Sequence, residues 1–224
     1  VTSAPREGEA GKLAALDGLR AAILNGDVIA GQRLVEPELA ETFAVTRASV
    51  RAALIDLTAE GLVERIPYRG ARVRVVTIEE AVAITECRMV LEGLCAAKAA
   101  RRATDDQIDA LRQLGTRLRA AVDDGEPMKY STLNRELHRM VRDIADQPVA
   151  SELLARLHAQ IVGHQFRLAT RDGRPQVSLP QHLAIIDAIA RRDSLAAEQA
   201  ARAHLDSVIA ALRETEGDHT KTPG

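Results

Sequence analysis

The sequence predicts a mainly α protein, in which an N-terminal winged helix-turn-helix, three helices plus a β-hairpin wing, precedes an all-α bundle domain of six or seven helices. Three observations predict it. Aromatic residues make up 2% of the chain and Trp is absent, so apolar volume has to come from aliphatic packing between helices. Apolar residues recur at three and four along most of the chain, the period of an amphipathic helix. The exception lies near residues 62–76, where LVERI and ARVRVV flank a Pro-Tyr-Arg-Gly turn and read as a two-stranded hairpin.

The elements follow in order. Residues 1–10 are small and polar and read as a flexible arm, as does the tail 217–224. From Leu13, the apolar positions Leu16, Leu19, Ile23 and Leu24 predict a first helix that stops at Asn25-Gly26. GDVIAGQRLV is an extended link. A short helix from Glu36 to Phe43 and a tight AVT turn lead to a third helix over 46–60, capped by Thr46 or a neighbour, with Val50, Leu54 and Leu57 facing inward. Two helices across a tight turn are the raw form of a helix-turn-helix, and the hairpin closes a domain over 11–76.

The second domain, 77–216, has no strand signal. Helices are expected at about 79–102, 104–123, 127–145, 149–171, 179–191 and 195–215. Thr104-Asp-Asp-Gln107 and Ser178-Leu-Pro-Gln181 both fit the capping box that satisfies orphan backbone donors at a helix start.

Hydrophobic residues at 46% and charged residues at 28% describe a folded chain rather than a disordered one. No apolar run is long enough to span a bilayer and the start lacks a signal-peptide core, so a cytoplasmic protein without a membrane partner is expected. Cys87 and Cys95 lie about two helical turns apart, too far for a mutual disulfide, and read as small core residues. The net charge of −2 does not advertise a nucleic-acid binder, so any such role must come from local charge.

That local charge exists. The third helix opens TRASVRAAL, placing Thr46, Arg47, Ser49 and Arg51 in its first two turns, the part of a recognition helix that enters the major groove. An Arg fork can bond a guanine edge bidentately, and hydroxyls and helix N-terminal amides suit phosphates. The hairpin adds Arg65, Arg69, Arg72 and Arg74. Across residues 34–75 the chain resembles the winged helix of GntR-family bacterial regulators. The resemblance implies that Arg47 contacts bases of double-stranded operator DNA, that Thr46, Ser49 and Arg51 contact phosphate or adjacent edges, and that Arg69-Gly70 forms a wing tip reaching the minor groove. One departure is Pro37, where family members often carry a basic residue.

The second domain carries the histidines. Asn134 and His138 are four apart in LNRELHRMV and share a helix side, His182 lies among Leu183, Ile185 and Ile186, and His204 borders Ala201, Leu205 and Val208. Imidazoles converging in an apolar core need a hydrogen-bond donor or a metal to satisfy them, and spacing alone leaves both readings open. His164 shares a face with Leu157, Ile161 and Leu168 as a pocket donor or a satisfied core residue.

Residues 78–215, with TECRMVLEGLCAAKAA, LNRELHRMV, LPQHLAIIDAIARRD and ARAHL, resemble the FCD ligand-binding domain of the FadR-like branch of the same family. There a D/N-x-x-x-H pair and two later histidines hold a divalent metal. The resemblance implies that Asn134, His138, His182 and His204 are the ligands here, with zinc or nickel best suited to imidazole. Many members have Asp where Asn134 stands, and an amide oxygen is the weaker ligand. Open coordination positions would admit a small organic acid effector, and Arg88 matches an effector-facing Arg. The expected protein is a homodimeric regulator, most simply a repressor, pairing on a pseudo-palindromic site. The alternatives are a metal-dependent hydrolase, which lacks an evident general base because Glu136 projects away from the ligands, and a DNA-binding regulator whose metal is purely structural.

Overall fold

The structure is a computed structural model that describes residues 5–67, 69–169 and 171–219. These divide into two compact units, one of residues 5–76 with 158–163 and one of residues 77–157 with 164–219.

In the first unit, α1 (Gly8–Asn25) packs on α3 (Arg47–Ala59), and α2 (Glu36–Thr42) packs on α3 as well. Leu19, Val50, Leu54 and Leu57 fill the space between them. Each such aliphatic side chain contributes on the order of 1.5–3 kcal/mol by leaving water. Gly26 ends α1 in the left-handed conformation, at φ 83°, where a Cβ would be strained. Thr46 caps α3, its hydroxyl accepting from the Ser49 amide at 3.2 Å.

Strands β2 (Val63–Ile66) and β3 (Gly70–Val73) pair antiparallel as the wing, with Val63 opposite Val73 and Ile66 opposite Gly70. The expected extended link also supplies a strand, β1 (Arg33–Leu34), which pairs with the outer edge of β3 and buries Leu34. The hairpin is thus a three-stranded sheet of order β1-β3-β2. A two-residue strand has too little alternation to announce itself in sequence.

The expected flexible arm is corrected over its described part. Arg6 forms a β-bridge with Val45, its amide donating to the Ala44 carbonyl at 2.9 Å and its carbonyl accepting from Thr46 at 3.1 Å. The first helix begins at Gly8. A polar segment is held here mainly by backbone hydrogen bonds, which leave no side-chain pattern, with the Arg6 guanidinium adding one bond to the Phe43 carbonyl at 3.4 Å. Of the expected tail, residues 217–219 continue the last helix, and 220–224 lie outside the described residues.

The second unit contains seven helices among its described residues: α4 (Ile78–Arg102), α5 (Asp105–Asp123), α6 (Pro127–Ala145), α7 (Pro148–Gln160), α8 (Val162–Ala169), α9 (Arg174–Ala190) and α10 (Ser194–His219). Of these, residues 158–160 of α7 and 162–163 of α8 belong to the first unit. The long α4 runs against α10, α6 and α9. Its Ala96, Ala99 and Ala100 and the Ala197 and Ala201 of α10 are all buried, and such small side chains let two helix backbones approach closely. Leu111, Leu114, Leu118, Leu137 and Ile189 complete the core.

Three expectations for this unit are revised. The helix expected over 149–171 is two, broken at Ile161, two residues ahead of the weak helix former Gly163. The Ser178 capping box does not form. Gly173, at φ 77°, and Pro175 start α9 five residues earlier, which leaves Ser178 buried inside the helix. Cys95 is buried, but Cys87 is exposed, because eight residues of a 3.6-residue helix bring the two thiols to different faces. The Thr104 box does form, Thr104 and Gln107 exchanging bonds of 3.2 and 2.9 Å.

Candidate metal centre and nucleic-acid interface

The three histidines of the second unit come from α6, α9 and α10. One ring nitrogen of each of His138, His182 and His204 lies within 4.8 Å of the other two. The Nε2 atoms of His182 and His204 are 3.2 Å apart. Their other nitrogens are anchored: His182 Nδ1 lies 2.8 Å from the Tyr130 hydroxyl and His204 Nδ1 lies 2.9 Å from Gln181 Oε1. His138 Nδ1 donates to Glu92 Oε2 at 2.9 Å. Each ring is therefore oriented through one nitrogen by an oxygen partner, the arrangement that metal-binding imidazoles share.

Burial keeps the pair neutral. Desolvation, reinforced by the neighbouring imidazoles, holds His182 well below the ordinary histidine range and lowers His204 to about 3. Tyr130 is pushed well above the ordinary phenol range by its own burial, so its hydroxyl stays protonated. Neutral imidazole is the form that ligates a cation.

Asn134 stands one turn before His138, and its Oδ1 is buried without a hydrogen-bond partner. An orphan acceptor beside converging imidazole lone pairs fits a divalent metal: three nitrogens and one amide oxygen are the donor set such an ion takes. A small cleft lined by Glu92, Cys95, Leu137, His138 and Ile185 reaches the cluster.

Arg88 lies in the core at 4% exposure rather than on a helix surface. Its Nε and Nη2 donate to Glu92 Oε1 at 3.0 and 2.8 Å, and its Nη1 is buried with no partner. Glu92, the one buried acid among the described residues, thus joins Arg88 to His138, a role the sequence reading missed. Its signal was available: Glu92 is four residues after Arg88 on the buried face of α4. Tyr130 and Gln181 were missed for a different reason, since they meet the histidines only through tertiary packing. His164 is buried but sits on α8 with its Nδ1 2.9 Å from Arg167 Nη2, outside the three-histidine group. Glu136 is engaged by Arg117 at 3.2 Å.

On the first unit, Arg47 is exposed at the N-terminus of α3. Arg69 and Gly70 are exposed where β2 turns into β3, and Gly70 takes φ 88°. Tyr68, in the same turn, lies outside the described residues. Arg51 is 57% exposed but bonds Glu36 of α2 through Nε at 3.2 Å and Nη2 at 2.7 Å. That bond offsets part of its charge. Arg72 likewise pairs with Glu64 across the sheet, at 2.6 Å. Ser49 is corrected: it is 4% exposed, its hydroxyl 3.0 Å from that of Thr46, because residue 49 turns toward α1 where Gly11 makes room. Thr46 spends its hydroxyl on the cap. Pro37 occupies the first turn of α2, where a missing amide hydrogen costs nothing.

A three-helix head with a β wing, followed by a separate helical unit, defines the class of a DNA-binding regulator. The chain matches the profile of bacterial regulatory proteins of the gntR family over residues 12–73 and that of the FCD domain over residues 83–207. It belongs to the GntR family of transcription regulators and carries an FCD domain. It is 28% identical over 196 residues to the HTH-type transcriptional repressor RspR of Escherichia coli K12, covering 88% of this chain and 86% of that protein. It is 29% identical over 195 residues to the HTH-type transcriptional repressor NanR of Citrobacter rodentium, covering 78% and 74%. Its fold is shared with the solved structure of E. coli McbR/YncC, at a TM-score of 0.77 and 19% identity over 92% of this chain and 98% of that one. The family consists of regulators rather than enzymes, so the hydrolase alternative is dropped. No helix among the described residues is long and apolar enough to cross a membrane.

Proposed function

We propose that the chain is a metal-dependent, effector-controlled repressor acting as a homodimer on operator DNA. The observation that carries this is the convergence of His138, His182 and His204, with ligand atoms within 4.8 Å, beside the orphan Oδ1 of Asn134. These four residues hold a divalent cation, zinc or nickel by the preference of imidazole. When bound, the ion supplies a positive centre for a carboxylate of the effector. The chain supplies the rest. Tyr130, Gln181 and Glu92 orient the rings, and Arg88, clamped by Glu92, presents a free N–H to the effector.

On the reading head, Arg47 is the base-contacting residue, Arg69 and Gly70 form the wing tip, and Arg51 reaches phosphate on leaving Glu36. Repression is supported by the names of the two relatives, and dimerisation by the small contact area of one winged helix. Control follows from an effector that binds the DNA-competent and DNA-incompetent states unequally.

The experiment selects an operator from a random DNA library with the nickel-loaded chain. Band retention is then measured with and without a panel of small carboxylic acids. Release by at least one acid in the native chain, absent in His204→Ala, is expected. Native protein that binds no metal, or whose DNA affinity no acid changes, would refute the proposal.

A further inference from the structure

We propose that Arg174 is a second anion anchor of the effector site, so that the preferred effector is a small organic dianion with its two charges held apart. The inference rests on the effector reading above and concerns a residue to which the sequence reading assigned no role.

Arg174 opens α9 and reaches α10. Its Nη1 donates to the Ser207 carbonyl at 3.3 Å and to the Ser207 hydroxyl at 3.0 Å, fixing the guanidinium plane three residues past His204. Its Nη2 is buried and has no hydrogen-bond partner. The only other buried, unpartnered side-chain nitrogen among the described residues is Nη1 of Arg88. The two guanidinium groups are built alike. One part of each fork is clamped by the protein, and another is left in the interior with nothing to donate to. Native interiors rarely leave such donors unmet, and a pre-oriented Arg fork is the group best matched to a carboxylate.

Both are linked to helices that carry the histidines. Arg88 is tied through Glu92 to His138, while Arg174 is tied through Ser207 to the His204 end of α10. The positive charge of Arg174 is felt at Tyr130, His182 and His204, and that of Arg88 at His204. The charges do not balance. Glu92 is the only buried acid among the described residues and is already shared by Arg88 and His138. Glu214 is 64% exposed and bonds Arg171. The buried Arg88 and the half-buried Arg174, whose charge Glu214 offsets in part, stand against one buried carboxylate before any metal binds, and an effector with two anionic ends is the complement. A monoanion would engage one end only.

The test is calorimetric titration of the nickel-loaded full chain with succinate, glutarate and acetate, for the native protein, Arg174→Gln, Arg174→Lys and Ser207→Ala. The native protein is expected to bind one of the dianions at least about tenfold more tightly than acetate. Arg174→Gln should remove about tenfold or more of that preference while nickel affinity and acetate affinity stay within about threefold. Arg174→Lys should recover part of it, and Ser207→Ala, which removes one of the two bonds that hold the fork and leaves the one to the Ser207 carbonyl, should fall between. A dianion preference unchanged in Arg174→Gln and Ser207→Ala, with only a lower Tm, would show that Arg174 merely braces α9 on α10 and would overturn this inference alone. Native protein that binds nickel but none of the acids overturns the effector reading on which it rests.

Discussion

His182 and His204, on neighbouring helices, point their Nε2 atoms at one another across 3.2 Å inside the helical unit. Two lone pairs cannot face each other at that distance without a proton or a cation between them. In the metal-free chain, His204 Nδ1–H donates to Gln181, so its Nε2 accepts from His182 Nε2–H, and His182 Nδ1 accepts from the Tyr130 hydroxyl. For both Nε2 atoms to ligate, the His182 hydrogen moves to Nδ1 and donates to the Tyr130 oxygen. A hydroxyl serves in either direction, so Tyr130 suits both states.

This pair predicts a pH dependence of stability in the metal-free protein. Both histidines are lowered in the fold, His204 to about 3, against about 6.5 for an unfolded chain. Below the unfolded value the unfolded chain binds protons that the fold refuses. Stability is therefore full above about pH 6.5 and falls as pH drops toward 3. His204 alone should cost about 2 kcal/mol between pH 7 and pH 5, and His182 acts in the same direction. Urea unfolding at pH 7 and pH 5 checks this, with a smaller loss expected in His204→Gln.

Glu92→Gln should fail on two counts. It leaves the Arg88 guanidinium buried without its counter-charge, a loss of about 3–5 kcal/mol. It also weakens the acceptor that orients His138, which should lower nickel affinity by about 10- to 100-fold. Denaturant unfolding and a nickel titration measure the two separately.

Asn134→Asp exchanges a neutral oxygen for a carboxylate beside His138. Nickel affinity should rise by roughly tenfold, since hard anionic oxygen outbids an amide for a divalent ion. The metal-free variant should melt at a lower temperature than the native chain, because the new charge is buried without a partner. Melting curves with and without nickel should therefore diverge more than those of the native protein.

Arg47→Ala and Ser49→Ala should separate cleanly. Loss of the exposed Arg47 is expected to cost about 1–3 kcal/mol in operator binding and to relax discrimination at one base position. Ser49 is buried against Thr46, so its loss should alter Tm but leave base discrimination unchanged. Binding to operator variants at fixed salt reads both.

Gly11→Ala tests the ordered N-terminal segment. A Cβ there would run into the Arg6 carbonyl and lie 2.6 Å from the Ser49 hydroxyl. Overpacking against backbone should destabilise the first unit by about 1–3 kcal/mol, and amide exchange at Thr46, which donates to Arg6, should quicken.

Local pattern was enough for most of the architecture. The 3.6-residue period placed α4, α5 and α6, the Thr104 box placed the start of α5, and the basic opening of α3 beside a hairpin marked the reading head. These features survive in sequence because each is an interaction among residues a few positions apart. Direct hydrogen bonds between backbones carry no residue signature, which is why β1 and the Arg6 bridge went unread.

Within the helical unit, the sequence by itself determined that inward-facing histidines from three helices share a core with Asn134. Only the tertiary structure decided which nitrogens meet, that Glu92, Tyr130 and Gln181 orient them, and that Arg88 and Arg174 each keep an unanswered donor inside. The reason is geometric. Helical period sets the face on which a side chain emerges, but the distance between two side chains on different helices depends on how those helices pack, and ligation and charge balance are decided on the scale of an ångström.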